Sequence, residues 1–211
     1  FRLELLAGSL DTARPELVEG RSSSDLDKPS LNALDGADGT PLNNRPGLMI
    51  AVDLHPGYLS TQYGQSLAAA EGVACLSVQH HHAHLAACLA EHGVALDAPP
   101  VLAAIFDGLG MGENGELWGG EFLLGDYRDF SRLAHFQPLA LPGGSQAMRE
   151  PWRNAYAQLR QYFDWGTLQT EYGELPLFKR LANKPLTTLE TMIAKNLNAP
   201  PCSSVGRWFN T

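Results

Sequence analysis

The chain has 211 residues, enough for one sizeable domain, and a hydrophobic fraction of 44%, enough to bury a real core. Its 15 Lys and Arg stand against 23 Asp and Glu, a formal net charge of -8 with no basic cluster, which argues against nucleic acid as a partner. No apolar run approaches the ~18 residues of a membrane span, the opening Phe1-Arg2-Leu3-Glu4 does not read as a signal peptide, and three cysteines without C-x-x-C spacing fit reduced thiols in the cytoplasm.

Residues 1–46 differ from the rest. Segments such as Gly20-Arg21-Ser22-Ser23-Ser24-Asp25 and Asp35-Gly36-Ala37-Asp38-Gly39-Thr40-Pro41 hold no sustained apolar period, and their composition predicts a disordered tail. Residues 10–21 resemble the translated form of repetitive DNA elements; an ordinary flexible linker is the other reading.

From Gly47 the pattern is that of an alternating α/β protein. Residues 48–54 form a short apolar run carrying Asp53 near its end, which reads as a buried strand. His55-Pro56-Gly57 breaks it, and Ser60 or Thr61 is placed to cap a helix through Ala70. Residues 73–78 read as a second strand and 80–91 as a helix closed by Gly93. A third strand, 101–106, runs into Asp107-Gly108-Leu109-Gly110-Met111-Gly112, turns at 113–116 and returns over 117–124 as a hairpin. Residues 147–163 predict a strong helix with Trp152, Tyr156, Leu159 and Phe163 at core spacing, and 186–197 a weaker one.

Four of the seven histidines fall within five positions, in Val78-Gln79-His80-His81-His82-Ala83-His84. Helical spacing puts His80 and His84 on one face, a turn apart, where two imidazoles can meet one ion. Cys88 continues that stripe, while His81, Leu85 and Leu89 form its neighbour. Two readings stay open: a metal site completed by a carboxylate, or a polar helix start whose histidines cap or face solvent. The zinc-protease pattern H-E-x-x-H is not met, because His81 stands where its general-base Glu belongs.

The glycine-rich stretch after the third strand supplies a second constellation. Alternate glycines let backbone amides approach a phosphate, and Asp107 at the strand end is placed to hold a divalent cation. The pattern is neither a P-loop nor a dinucleotide fingerprint, and as an isolated motif a hairpin with a solvated Asp explains it as well. Arg149 and Arg153, flanking Pro151-Trp152, can clamp an anion or pair with surface carboxylates. Asp53 and His55 read either as an Asp–His pair or as a strand-end turn.

These pieces occur in one order. Val52-Asp53-Leu54-His55-Pro56-Gly57-Tyr58-Leu59-Ser60-Thr61 precedes Val78-Gln79-His80-His81-His82-Ala83-His84-Leu85-Ala86-Ala87-Cys88, then Asp107-Gly108-Leu109-Gly110, Leu117-Trp118-Gly119-Gly120-Glu121-Phe122, Leu141-Pro142-Gly143-Gly144 through Arg149-Glu150-Pro151-Trp152-Arg153, and Cys202-Ser203-Ser204-Val205-Gly206-Arg207-Trp208-Phe209. Over roughly residues 48–211 the series resembles the HypF carbamoyltransferases of nickel–iron hydrogenase maturation. The resemblance implies a partial Kae1-like domain of the actin/hexokinase/Hsp70 superfamily, an α/β fold with a mixed sheet and flanking helices. It implies a divalent metal, iron or zinc, on His80 and His84 with Asp107. It further implies that Asp107, Gly108, Gly110, Gly119, Gly120 and Glu121 approach the phosphates of ATP or carbamoyl adenylate, with Mg as the companion ion of the nucleotide. Carbamoyl phosphate and ATP are the implied substrates. The implied partner is a HypE-type maturation protein, whose C-terminal Cys takes the carbamoyl group on its way to a cyanide ligand.

Members of that family are several-fold longer, with acylphosphatase, zinc-finger and YrdC-like domains ahead of this region. The opening strands of the Kae1-like domain and the late S-G-G and N-D-G-G motifs have no counterpart here. The expectation is therefore a carbamoyltransferase fragment over 47–211, truncated at both ends and inactive alone. Two rivals remain: an enzyme like the tRNA threonylcarbamoyladenosine transferases, whose H-x-E-G/A-H form differs from this chain at His82 and Ala83, and a non-catalytic metal-binding remnant of a disrupted gene.

Overall fold

The computed structural model describes the backbone of Leu3–Leu5 and residues 48–209. A β-α-β unit opens the described body. Strand β2 (Met49–Asp53) and strand β3 (Ala74–Val78) pair in parallel from Met49↔Ala74 to Asp53↔Val78, joined by helix α1 (Leu59–Glu71). Gly64 lets that helix settle on the strand, since a Cβ there would meet Val52 Cγ1 at 2.5 Å. The helix starts one residue before the expected cap: Thr61 lies inside it, buried, and its Oγ1–H donates to the Asp53 carbonyl (3.2 Å). It stops at Gly72 (φ 66), whose N–H donates to the Ala68 carbonyl.

Helix α2 (His80–Glu91) follows β3 directly. The Gln79 side chain caps it by accepting from the N–H groups of His81 and His82, and Val94 N–H closes its far end on the Leu89 carbonyl beside Gly93 (φ 64). The stripe His81, Leu85 and Leu89 is the buried one, as helical periodicity requires. Leu85 and Leu89 pack on Ile105 and Leu123 of the hairpin β4 (Val101–Met111) and β5 (Leu117–Gly125). Strand β6 (Phe130–Phe136) extends the sheet antiparallel to β5, and Leu3–Leu5 (β1) pairs with β6. Short strands β7 (Leu139–Ala140) and β8 (Pro201–Cys202) complete it, β8 running parallel to β5 at Leu117↔Cys202, so the sheet is mixed, with helices packed on it. The face of β4 opposite α2 carries Phe106, in ring contact with Phe122 and Phe136.

Helices α3 (Ser145–Arg149), α4 (Trp152–Tyr162), α5 (Trp165–Tyr172), α6 (Pro176–Ala182) and α7 (Leu186–Ala194) form a helical block, and α8 (Val205–Phe209) ends the described chain. Tyr156, Leu181 and Leu189 are its buried centre, with Trp152, Leu159 and Trp165 against them.

Several expectations shift. The third strand does not stop at 106 but continues to Met111 through a register shift between Phe106 and Gly110. The helix expected over 147–163 divides in two, because Glu150, ahead of Pro151, adopts φ -124, ψ 76. Phe163 leaves the helix in extended conformation and is exposed, so it is not a core residue. The helix expected to 197 stops at Ala194, followed by Asn196 (φ 50) and Asn198 (φ 48) in the left-handed region. Leu3–Leu5, inside the segment read as a tail, is strand; the rest of that segment up to residue 47 lies outside the described residues. Among the described residues no helix is long and apolar enough to cross a membrane.

Candidate metal site

Three chain segments bring their polar ends to one point. Strand β2 ends at Asp53, β3 hands over to Gln79 and His80, and the bulge in β4 carries Asp107. Carboxyl ends of strands are the usual place for ligands in α/β folds, and a bulge re-aims the side chain it carries. Asp53 Oδ2 accepts from His80 Nδ1–H at 2.6 Å, and its Oδ1 accepts from the backbone N–H of His55 at 2.7 Å. With a proton held on Nδ1 by Asp53, Nε2 is the ring nitrogen left to face the site. That nitrogen lies 3.1 Å from Asp107 Oδ2 and 3.3 Å from His84 Nε2.

His80, His84 and Asp107 thus converge, each offering one atom, all three within 4.8 Å of one another. Ligands bonded at ~2.1 Å to a tetrahedral ion sit about 3.4 Å apart, and the two edges that meet at His80 Nε2, 3.1 and 3.3 Å, lie close to that spacing. Two imidazoles and a carboxylate suit a borderline divalent cation, iron and zinc alike. The Asp53–His80 pair supplies the carboxylate–histidine arrangement that commonly orients a ligating imidazole.

Behind these groups the protein is closed. His81 is fully buried, and burial above all lowers its imidazole pKa to about 4, so it is neutral at physiological pH. Its Nδ1 faces Gln79 Nε2 at 3.2 Å, and its Nε2 lies 3.9 Å from Asp107 Oδ2. Gly110 makes this approach possible: a Cβ there would stand 2.5 Å from His81 Cε1 and 2.6 Å from His80 Cδ2. Tyr58, stacked on His55, has its phenol pKa raised by burial first and then by the charges of Asp53 and Asp107.

The bulge is fastened from the far end of the chain. Ser204 Oγ lies within hydrogen-bond reach of the carbonyls of Asp107 (2.8 Å) and Gly108 (2.7 Å), and Arg207 Nε donates to the latter at 2.9 Å. Gly206 is required beneath it, since a Cβ there would meet Gly108 Cα at 2.7 Å. Gly108 N–H donates to Asp107 Oδ1 at 2.5 Å, which leaves Oδ2 for the site.

The structure therefore brings His80, His84 and Asp107 together, with Gly108 and Gly110 beside them. Gly119, Gly120 and Glu121 lie behind the bulge, where a Cβ on Gly119 would meet the Asp107 carbonyl at 2.7 Å. Glu121 is fully buried, and its Oε1 accepts from the N–H groups of Gly119 (3.1 Å) and Gly120 (3.2 Å) and from Ser203 Oγ (2.5 Å). Its Oε2 pairs with Arg132 at 2.6 Å, and the Arg132 guanidinium lies over the Trp118 ring. In this structure the Gly119 and Gly120 amides donate to a carboxylate of the fold. Arg153 is engaged by Glu150 (2.5 Å), and His82 Nε2–H donates to the Asp126 carbonyl (2.8 Å), away from the metal pair. Two contributors were not assigned from sequence. Asp53 was legible only as one of two readings of a strand end, and Gln79 gave no signal beyond preceding the histidines.

Comparison with known proteins assigns the class first. Residues 103–211 match the carbamoyltransferase Kae1-like domain, second subdomain, and residues 41–91 match the HypF Kae1-like domain. Carbamoyltransferase HypF2 of Cupriavidus necator is 46% identical over 169 residues, which cover 80% of this chain and 20% of that protein. A carbamoyltransferase HypF homolog of the same organism is 40% identical, covering 87% of this chain and 45% of its own length. A crystal structure of full-length HypF in the phosphate- and nucleotide-bound form superposes with a TM-score of 0.64 at 34% identity, over 77% of this chain and 20% of that one. The chain belongs to the HypF carbamoyltransferase family, as a partial Kae1-like domain. It spans between a fifth and a half of the length of these curated relatives.

Proposed function

We propose that this chain supplies the metal-bearing part of a carbamoyltransferase centre, which passes carbamoyl from carbamoyl adenylate to the C-terminal Cys of a HypE-type maturation protein. Carbamoyl phosphate and ATP are the ultimate substrates in this reading. The observation that carries it is the convergence of His80 Nε2, His84 Nε2 and Asp107 Oδ2 in a chain of this family. A divalent ion held there, iron or zinc, would polarise an acyl carbonyl and offset phosphate charge. The chain's own residues do the rest. Asp53 keeps the His80 proton on Nδ1, Gly108 N–H holds one Asp107 oxygen back, and Gly110 keeps the wall thin enough for the histidines to approach. Nucleotide phosphates, with their own Mg, approach the open rim beside Gly108 in this reading; Gly119, Gly120 and Glu121 serve it indirectly, by supporting the bulge.

The test is a chimera. Residues 48–209 replace the matching segment of a full-length relative, and carbamoylation of the partner's C-terminal cysteine is followed by mass spectrometry. The chimera should transfer, and its His84→Ala version should lose transfer by about two orders of magnitude, as removal of a metal ligand demands. Equal transfer with and without His84 would contradict the assignment.

A further inference from the structure

His81 is the one member of the histidine cluster that is wholly enclosed, and its Nε2 has no hydrogen-bond partner. Across a gap of 3.9 Å stands Asp107 Oδ2, itself buried and without a hydrogen bond. Two facing orphans in a closed wall cost stability if nothing joins them. Which of them carries a proton is decided one residue upstream of the cluster. The Gln79 amide has its oxygen committed to the N–H groups of His81 (2.6 Å) and His82 (2.9 Å). Its nitrogen must therefore be the atom that faces the Met111 carbonyl (2.9 Å) and His81 Nδ1 (3.2 Å). An amide NH2 only donates, so Nδ1 accepts and the His81 proton resides on Nε2. That N–H points at Asp107.

We propose that Gln79 and His81 form a tautomer lock that positions Asp107 as a metal ligand. His81 Nε2–H faces, across 3.9 Å, the Asp107 oxygen that also faces His80 and His84; it closes that gap to donate when the carboxylate moves in on an ion, leaving that oxygen a second lone pair. Gly108 N–H restrains the other oxygen from the opposite side, so the carboxylate is gripped at both ends. Asp53 does for His80 what His81 does for Asp107, and the two first ligands are each set by a neighbour that never touches the ion. His81 is thus a positioning residue, and Gln79 positions it in turn. The inference rests on the His80–His84–Asp107 metal reading and extends it.

Two measurements on the full chain test it: zinc affinity by competition with a chromophoric chelator, and the His81 tautomer from imidazole nitrogen-15 shifts in the metal-free protein. His80→Ala serves as the reference for the metal reading itself. The wild type should show the Nε2–H tautomer. His81→Phe fills the same space without a donor and should weaken zinc binding about 10–100-fold, the usual effect of losing an outer partner of a ligand. His81→Gln, which returns an N–H near the Nε2 position, should restore most of it. Gln79→Glu keeps the helix cap but can only accept at Nδ1, so it should move the His81 proton to Nδ1 and weaken zinc binding even if His81→Phe fails to fold. Wild-type zinc affinity in His81→Phe or in Gln79→Glu, while His80→Ala has lost it, overturns the lock and leaves the metal site standing. An Nδ1–H tautomer in the wild type also overturns it. Unchanged zinc affinity in His80→Ala would instead remove the metal reading beneath it.

Discussion

Around α2 and the β4–β5 hairpin the fully buried side chains include His81, Glu121, Ser203 and Ser204, whereas in the helical block of α4–α7 they are Tyr156, Leu181 and Leu189. The first set is held largely by directed bonds. Both Glu121 oxygens and the Ser203 and Ser204 hydroxyls have partners, so one arrangement is specified closely, but an ion pair such as Glu121–Arg132 adds little net stability. The second set gains chiefly from area and fit, with the Tyr156 hydroxyl bonded to Glu190 at its edge. The comparison suggests a division of labour: the helical block supplies stability, and the hairpin spends some of it to place Asp107 and the histidines.

The comparison breaks most sharply at Glu121. Glu121→Ala leaves Arg132 without its partner and strands three donors, and should cost about 3–5 kcal/mol in chemical denaturation. It should also weaken zinc binding, because Ser203 adjoins the Ser204 that holds the bulge. Leu181→Ala in the helical block should cost about 2–5 kcal/mol through its cavity, yet leave zinc affinity unchanged. Equal loss of metal affinity in both variants would erase the distinction.

Cysteine reactivity sharpens the same contrast. Burial pushes the Cys202 thiol up to about 11, while Cys88 is exposed on the open face of α2. At about pH 8 iodoacetamide should label Cys88 first and Cys202 slower by about 100-fold or more, since the thiolate is the nucleophile; peptide mapping would read the ratio. Comparable rates would mean that the β8 end of the hairpin is open.

The smallest effect is in the helical block's own surface. A hydrogen bond from Arg160, then one from Tyr156, hold the Glu190 carboxyl below the usual carboxylate range. A lowered folded pKa means stability that is present above the ordinary Glu value and is lost as pH falls through the folded one. Glu190→Gln should flatten that acid limb, by under about 1 kcal/mol because the pair is partly solvated. A steeper limb in the variant would reverse the sign and contradict the pairing.

Much of the fold was legible because its strongest signals are local. The apolar run before Asp53, the helix of histidines and the alternating hairpin each carry their own period, and helical spacing puts His80 and His84 on one face, although it takes the family resemblance to choose a metal site over a polar helix start. What stayed hidden depends on distant chain. Asp107 lies in a bulge fixed by Ser204 and Arg207, nearly a hundred residues on, and no local pattern announces such a fastening. Gln79 matters through the orientation of its amide, which composition cannot convey. Glu121 enters the expected site only through the family resemblance, and only packing reveals that it turns inward to accept from the Gly119 and Gly120 amides. The short helices α5 and α6 went unread since each buries only one or two residues, too few to set a period.

The most direct measurement is metal stoichiometry and affinity in the purified chain, by zinc titration of the wild type beside His80→Ala, His84→Ala and Asp107→Ala, with circular dichroism reporting the fold. The account predicts one equivalent in the wild type and a loss of at least about tenfold in affinity in each variant, with helix content retained. One equivalent bound at wild-type affinity in all three would contradict it.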